Sequence, residues 1–186
     1  MIKKIITAVL VCAAVFTVFS CGGGDANYAS NYTAKELADA IMAVYGDSEI
    51  PEAGMEYFFS GAEDDDNYID ASFAGLLING SYSPLEEYDS ISDCAFYVPQ
   101  GRNIFEFVVL KAEKNDKNTV NILKGILERR LERKTKSDVL VYTPEDAPLL
   151  ENAKIMTFGN YAVLLATTDN KKAEKVINDM LVIEGD

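Results

Sequence analysis

The sequence has no histidine and no tryptophan in its 186 residues, and it has only three cysteines. Without histidine, the usual base that activates a serine or cysteine nucleophile is absent, and so are imidazole ligands for a metal. Cys12 and Cys21 belong to the N-terminal region, which leaves Cys94 alone in the rest of the chain. We therefore expect no intramolecular disulfide, and at Cys94 a buried, inert thiol. No motif for a cofactor or a metal is present, and the sequence favours a protein without catalytic function.

Basic residues are missing from a long part of the chain. None occurs between Lys35 and Arg102, whereas 15 acidic residues lie from Glu36 to Asp93. The formal net charge of the whole chain is −13. Such a charge disfavours nucleic acid or anionic lipid head groups as partners, and the simplest interpretation is solubility.

The N-terminus combines a charged start, an apolar run and a cysteine. Lys3 and Lys4 precede the apolar-rich residues 5–19, and Ser20 precedes Cys21. This order resembles a bacterial lipoprotein signal, which implies cleavage before Cys21 and a lipid on its sulfur. An uncleaved anchor is the alternative, but the run is shorter than the ~20 residues that cross a bilayer. The predicted organisation is a signal peptide over 1–20, a flexible tether over 21–32 and one domain over 33–184, anchored to the extracytoplasmic side of the cell membrane.

Helical periodicity predicts about four helices. Thr33 and Glu36 have the spacing of a capping box, and Gly46 and Gly80 are placed to end the first two helices. Asn118 is predicted to cap the third helix. The predicted helical segments are 34–45, 68–79, 118–136 and 169–181, with one more turn at 83–88.

Extended segments are predicted in two pairs. Residues 94–98 and 104–112 form one hairpin, and residues 153–158 and 161–168 form the other, closed by Gly159 and Asn160. We expect an α+β domain with a four-stranded antiparallel sheet. The second and fourth strands are apolar on nearly both faces, which predicts a central position for both and the order 1-2-4-3. Residues 47–66 are interpreted as a loop or a broken element, in which the aromatic rings of residues 55–59 need a surface that covers them.

Four segments carry a family resemblance that covers roughly residues 35–182. They are LEEY at 85–88, EFVVLKA at 106–112, LERRL at 127–131 and AKIMTFGNYAVLL at 153–165. Together they resemble a family of small lipoproteins of Gram-positive bacteria that are built around a domain of unknown function. The resemblance implies an envelope location and the domain limits, and it implies no catalytic residue.

Two charged clusters are candidate binding sites. The acidic cluster, Glu63 to Asp66 with Asp70, could bind a cation, but it lacks the EF-hand pattern and a solvated charge run is the favoured interpretation. The basic end of the third helix is the other candidate, and it comprises Arg129, Arg130, Arg133, Lys134 and Lys136. It either pairs with neighbouring glutamates or docks to an anionic partner, which could be cell-wall polymer or the acidic half of this chain.

These observations predict a membrane-anchored envelope lipoprotein whose domain is a non-enzymatic module that binds another envelope protein. The expected sign of such a module is an exposed patch without a deep pocket. The alternative is an extracytoplasmic lipoprotein that binds a small solute. In that case the segment 47–68 would cover a concave, partly apolar cavity.

Overall fold

The structure, a computed structural model, describes residues 27–137 and 139–183. It is an α+β fold in three layers, with helices on both faces of an antiparallel sheet. None of the helices within these residues is long and apolar enough to cross a membrane.

The strands and helices follow one another along the chain as β1 (Asn27–Tyr28), α1 (Ala34–Met42), β2 (Met55–Phe59), α2 (Ala71–Asn79), β3 (Ile91–Pro99), β4 (Glu106–Ala112), α3 (Lys117–Thr135), α4 (Val139–Tyr142), α5 (Ala147–Glu151), β5 (Lys154–Phe158), β6 (Tyr161–Ala166), α6 (Asn170–Leu181) and β7 (Val182–Ile183). Short 3₁₀ turns lie at Asp47–Glu49, Tyr88–Ser90 and Pro144–Asp146.

The main sheet has five strands in the order β2-β3-β4-β6-β5, all antiparallel. The predicted order of the four strands that the sequence revealed is confirmed, and β4 and β6 are central as expected. The prediction of a four-stranded sheet is wrong, because β2 forms a fifth strand beside β3. Strand β3 is therefore an interior strand, and β2 and β5 are the edges.

Strand β2 lies in the segment that the sequence indicated as a loop. Its five residues, MEYFF, do not alternate between polar and apolar, and Gly54 and Gly61 flank them. Their extended conformation depends on pairing with β3, in which Tyr57 lies opposite Tyr97. A partner so distant in sequence leaves no local signal.

A second, two-stranded sheet joins the two ends of the described chain. Asn27 pairs with Ile183 and Tyr28 with Val182. The Tyr28 ring packs edge to face on Phe158, with 6.1 Å between the ring centroids. The fold thus includes two residues of the predicted tether, because the C-terminal strand and the Phe158 ring give Tyr28 a surface on which to pack.

The helices begin where local signals place them, with small shifts. The capping box of Thr33 and Glu36 is present, and Gly80 ends α2 with a φ of 80°. The cap of helix α3 lies two residues before the predicted one, since Asp116, rather than Asn118, accepts hydrogen bonds from the backbone of Asn118 and Thr119. Residues 139–151, to which the sequence pattern assigned no regular element, include the short helices α4 and α5. The predicted turn at 83–88 is instead the 3₁₀ turn Tyr88–Ser90.

The apolar core lies on both faces of the sheet. Helices α1 and α6 cover the face that carries Tyr97, Phe107 and Val163. Helices α2 and α3 cover the opposite face, which carries Phe96, Val108 and Leu164. In β4 and β6 successive side chains enter different cores, so these two strands are apolar on both faces.

Candidate functional site

Of Cys21 and Cys94, the two cysteines for which the sequence makes a prediction, the structure describes Cys94. Cys21, the predicted lipidation site, lies outside the described residues, as does the predicted signal peptide. Cys94 is fully buried in β3, where its backbone N–H donates to Ser60 Oγ at 2.7 Å. Burial raises the pKa of the Cys94 thiol to about 12, and Asp93 adds to the rise while Ser60 opposes it. The thiolate is therefore disfavoured, which agrees with an inert thiol.

The basic end of α3 is largely an internal network rather than a free surface. Arg130 is 1% exposed and binds Glu106 of β4 through both carboxylate oxygens, at 2.8 Å and 2.7 Å. Lys134 Nζ lies 2.8 Å from Glu106 Oε2. Arg130 also donates to the carbonyl oxygen of Leu77, near the C-terminal end of α2. Two cations thus surround one buried carboxylate between α3 and β4.

Glu106 stays ionised although it is buried. Burial raises the pKa of its carboxyl, but the charges of Arg130 and Lys134 and their hydrogen bonds outweigh this effect and hold the pKa below its usual range. A buried charge that is paired and hydrogen-bonded on both oxygens avoids the large cost of an unpaired one.

The remaining basic side chains also bind within the chain. Arg133 Nη2 donates to Leu77 O at 2.7 Å, so two guanidinium groups satisfy a carbonyl in the last turn of α2. Arg129 pairs with Glu87 at 2.9 Å, and Lys136 pairs with Glu132. The structure thus bears out two of the predicted alternatives: Lys136 pairs with a neighbouring glutamate, and Arg129 and Arg133 bind Glu87 and Leu77 in the acidic half of this chain. Docking of this end to cell-wall polymer stays a prediction.

The acidic cluster at 63–70 is a turn followed by a helix cap. Asp65 Oδ1 accepts from the backbone N–H of Asn67 at 2.8 Å, and Asp70 Oδ1 accepts from Phe73 at 2.7 Å as the cap of α2. Residues 63–66 are exposed. Within the described residues, no group of three or more acidic or cysteine side chains is placed to hold a metal ion.

A groove of about 540 Å³ lies beside the N-terminus of α1, and its lining includes Lys35, Phe59, Ser60 and Asp93. Its polar groups bind one another: Asp93 accepts from the Ala34 N–H at 2.6 Å and from Ser60 Oγ at 2.5 Å. Lys35 pairs with Asp39 at 2.7 Å. The serine is thus bound to a carboxylate and the lysine to another, so the two do not form a nucleophile and base.

A second groove, of about 430 Å³, lies at the start of α6. The side chain of Asn170 fills its buried side, accepting from Thr167 and donating to Asn152 O at 2.7 Å. Lys154 at its margin pairs with Glu174. These polar side chains hold the loop before α6 in place.

Unlike the two grooves, which are lined by polar side chains that bind one another, the exposed surface of β2 is aromatic. A row of aromatic rings crosses the sheet from its edge, in which Tyr57 stacks on Tyr97 at 5.8 Å and Tyr97 on Phe107 at 4.9 Å. Phe59 stacks on Tyr57 from the same strand. The Tyr97 hydroxyl donates to Asp39 of α1, which fixes the middle ring. Phe107 is buried, whereas Tyr57 is 44% exposed, so the row emerges from the core at β2.

We refer to Met55–Phe59 with its outward side as the aromatic edge. Sequence reasoning missed it because β2 was interpreted as a loop, although the three consecutive aromatic residues of this segment were a signal that a surface must cover them.

The burial of Arg130 also had a signal in the sequence. Arg130 follows Leu127 by three residues and Leu123 by seven, so it continues the buried stripe of α3, and Glu106 opens an apolar strand.

A search of protein-family models, curated proteins and solved structures finds no match to this chain.

Proposed function

We propose that this chain is a lipoprotein anchored through Cys21 at the extracytoplasmic side of the cell membrane, and that its domain is a non-enzymatic module that binds another envelope protein. The order of Lys3, Lys4, the apolar run and Cys21 supports the anchor. The resemblance proposed from four segments of the sequence, to a family of small Gram-positive lipoproteins, implies the same location.

The observation that carries the binding role is the contrast between the charged and the aromatic surface. The cations of α3 are used within the fold, and both grooves have polar side chains that bind one another. At the aromatic edge, Tyr57 presents a large amphipathic ring to solvent, and stacking on Tyr97 holds that ring in place. Rigid, exposed tyrosines are typical anchors of protein interfaces.

The test is site-specific photocrosslinking in whole cells. Benzoylphenylalanine replaces Tyr57 in the membrane-anchored protein, and the adducts are identified by mass spectrometry. Tyr82 gives a matched control, because it is 69% exposed and lies in the loop after α2 rather than on β2. We expect one recurrent protein adduct from position 57 and none from position 82. No recurrent protein adduct at position 57, or the same adducts at both positions, would contradict the proposal.

Binding of a small solute is the second candidate function. The groove beside α1 favours it, because Phe59, Ser60 and Gly61 line that groove and belong to the segment expected to cover such a cavity. Under this alternative, a solute that raises the melting temperature of the native protein would lose its effect in Asp93→Asn. That variant alters the groove and leaves Tyr57 in place.

A further inference from the structure

The register of β2 shows which backbone groups face away from the sheet. Ser60 N–H donates to Cys94 O, and Gln100 N–H donates to Gly54 O. Alternate residues of an antiparallel strand turn their N–H and C=O groups toward the same neighbour. Residues 54, 56, 58 and 60 therefore bond to β3, and Met55, Tyr57 and Phe59 direct their backbone groups to the outside.

Only one end of this outer edge is covered within the described residues. Phe59 N–H donates to Asn67 O at 3.0 Å, and Ile69 N–H donates to Phe59 O at 3.1 Å, in a single parallel bridge. Beside Met55 and Tyr57 the described part of the chain places no further strand. The edge is thus open from Met55 to Tyr57, where the backbone of an extended segment can pair with it.

The exposed charges around the open edge are mostly negative. Glu52 and Glu56 are exposed on the strand side, and the exposed turn 63–66 supplies four more carboxylates directly before Asn67. Lys35 is a cation at the covered end of this edge, 5.4 Å from the Phe59 ring, and its charge is paired with Asp39. A segment that approaches this edge enters a negative field, which favours lysine and arginine side chains.

We propose that an extended, basic segment of a partner protein adds to β2 as a further strand of the main sheet. This inference rests on the proposed protein-binding function and names its mode and the chemistry of the partner. Neighbouring strands share their faces, so partner side chains beside Tyr57 are apolar or aromatic and those beside Glu56 are basic. The segment thus alternates basic and apolar residues. A second copy of this chain would bring its own exposed carboxylates into the same negative field, and like charges repel.

The experiment measures binding of a nine-residue peptide of alternating lysine and valine to the full-length protein in detergent micelles. Two matched peptides carry N-methyl groups, one on three valines and the other on three lysines. N-methylation removes donors from one edge of the peptide strand only. If the peptide adds antiparallel, the backbone groups of the valines, which lie opposite Met55 and Tyr57, form the hydrogen bonds. If it adds parallel, the backbone groups of the lysines on either side of each valine form them.

We expect methylation of one set to weaken binding about tenfold or more and methylation of the other set to change it little, since backbone hydrogen bonds form on one edge. We also expect Glu56→Lys to weaken the unmodified peptide several-fold, an effect that high salt reduces. Equal effects of the two methylated peptides would overturn strand addition, as would absence of peptide binding.

The photocrosslinks at Tyr57 separate the two proposals. A recurrent protein adduct together with equal behaviour of the methylated peptides would leave the protein-binding function standing and refute the strand mode. Absence of the adduct would refute the function itself.

Discussion

The basic end of α3 and the aromatic edge of β2 show that exposure cannot be inferred from residue type. Arginine and lysine usually lie in solvent, yet Arg130 and Lys134 converge on a buried glutamate. Aromatic residues usually lie in the core, yet Tyr57 is 44% exposed at the margin of the sheet. Each departure has a physical cause: Glu106 supplies a charge that must be neutralised, and at the edge of the sheet the described helices leave the Tyr57 ring partly exposed.

The largest effect on stability should come from breaking the buried network. Arg130→Ala leaves Glu106 buried with only Lys134, so we expect a loss of about 3–5 kcal/mol in the free energy of unfolding. Arg129→Ala is the matched control, because its pair with Glu87 is partly exposed and we expect a cost below about 1 kcal/mol. Chemical denaturation measures both. Equal costs for the two variants would show that burial of Arg130 has no energetic role.

The buried network around Glu106 should also make the stability of the domain depend on pH in the acid range. In the folded state the pKa of Glu106 lies below its ordinary value of 4.5. The ionised carboxylate therefore stabilises the fold fully when the pH is above 4.5, and this stabilisation is lost as the pH falls through the lowered pKa. In Glu106→Gln we expect the free energy of unfolding to fall less steeply below about pH 4.5 than in the unmodified protein.

Glu132→Gln is the control for the acid series, since Glu132 pairs with Lys136 on the exposed surface of α3. Its pKa is also lowered by that pair, but solvent screens the interaction, so we expect a smaller change of slope. If the free energy of unfolding falls with pH as steeply in Glu106→Gln as in the unmodified protein, the pKa of Glu106 is not lowered.

Removal of the Tyr57 ring at the aromatic edge should change the stability of the domain little and the binding of the partner strongly. Tyr57→Ser removes one member of a stacked row, and we expect a cost of about 1 kcal/mol or less, because the ring is partly exposed. The yield of the partner adduct after formaldehyde crosslinking in whole cells should fall strongly. Reversal of charge at Arg129 and Lys136 should leave that yield unchanged. Loss of the adduct on charge reversal alone would place the binding surface at α3.

Local signals in the sequence predict much of this fold. The capping box at Thr33, the glycine that ends α2 and the Gly159-Asn160 turn each act over a few residues, so the elements they bound are recovered within a few positions. The apolar character of β4 and β6 predicts their central place. Gly80 shows how local and distant demands combine, because a side chain there would also meet Arg133 Nη1 at 2.9 Å.

The parts that were missed depend on distant partners. Strand β2 exists because β3 pairs with it, and the role of Arg130 depends on Glu106, which lies 24 residues earlier. For the same reason the candidate surface was placed on α3. A charge cluster can be read from a sequence, whereas an open strand edge becomes visible only when the neighbours of that strand are known.

The smallest effect on the stability of the domain should come from the anchor itself. Cys21 precedes the first strand, Asn27–Tyr28, so Cys21→Ala should leave the unfolding transition of the domain unchanged. The same variant should lose incorporation of a labelled fatty acid and pass from the membrane to the soluble fraction, because at least two acyl chains are needed for stable anchoring. Retention of the variant at the membrane would show that residues 5–19 remain as the anchor. The protein would then present the aromatic edge from a membrane-embedded segment, and the lipoprotein assignment would be wrong while the contrast between the two surfaces would stand.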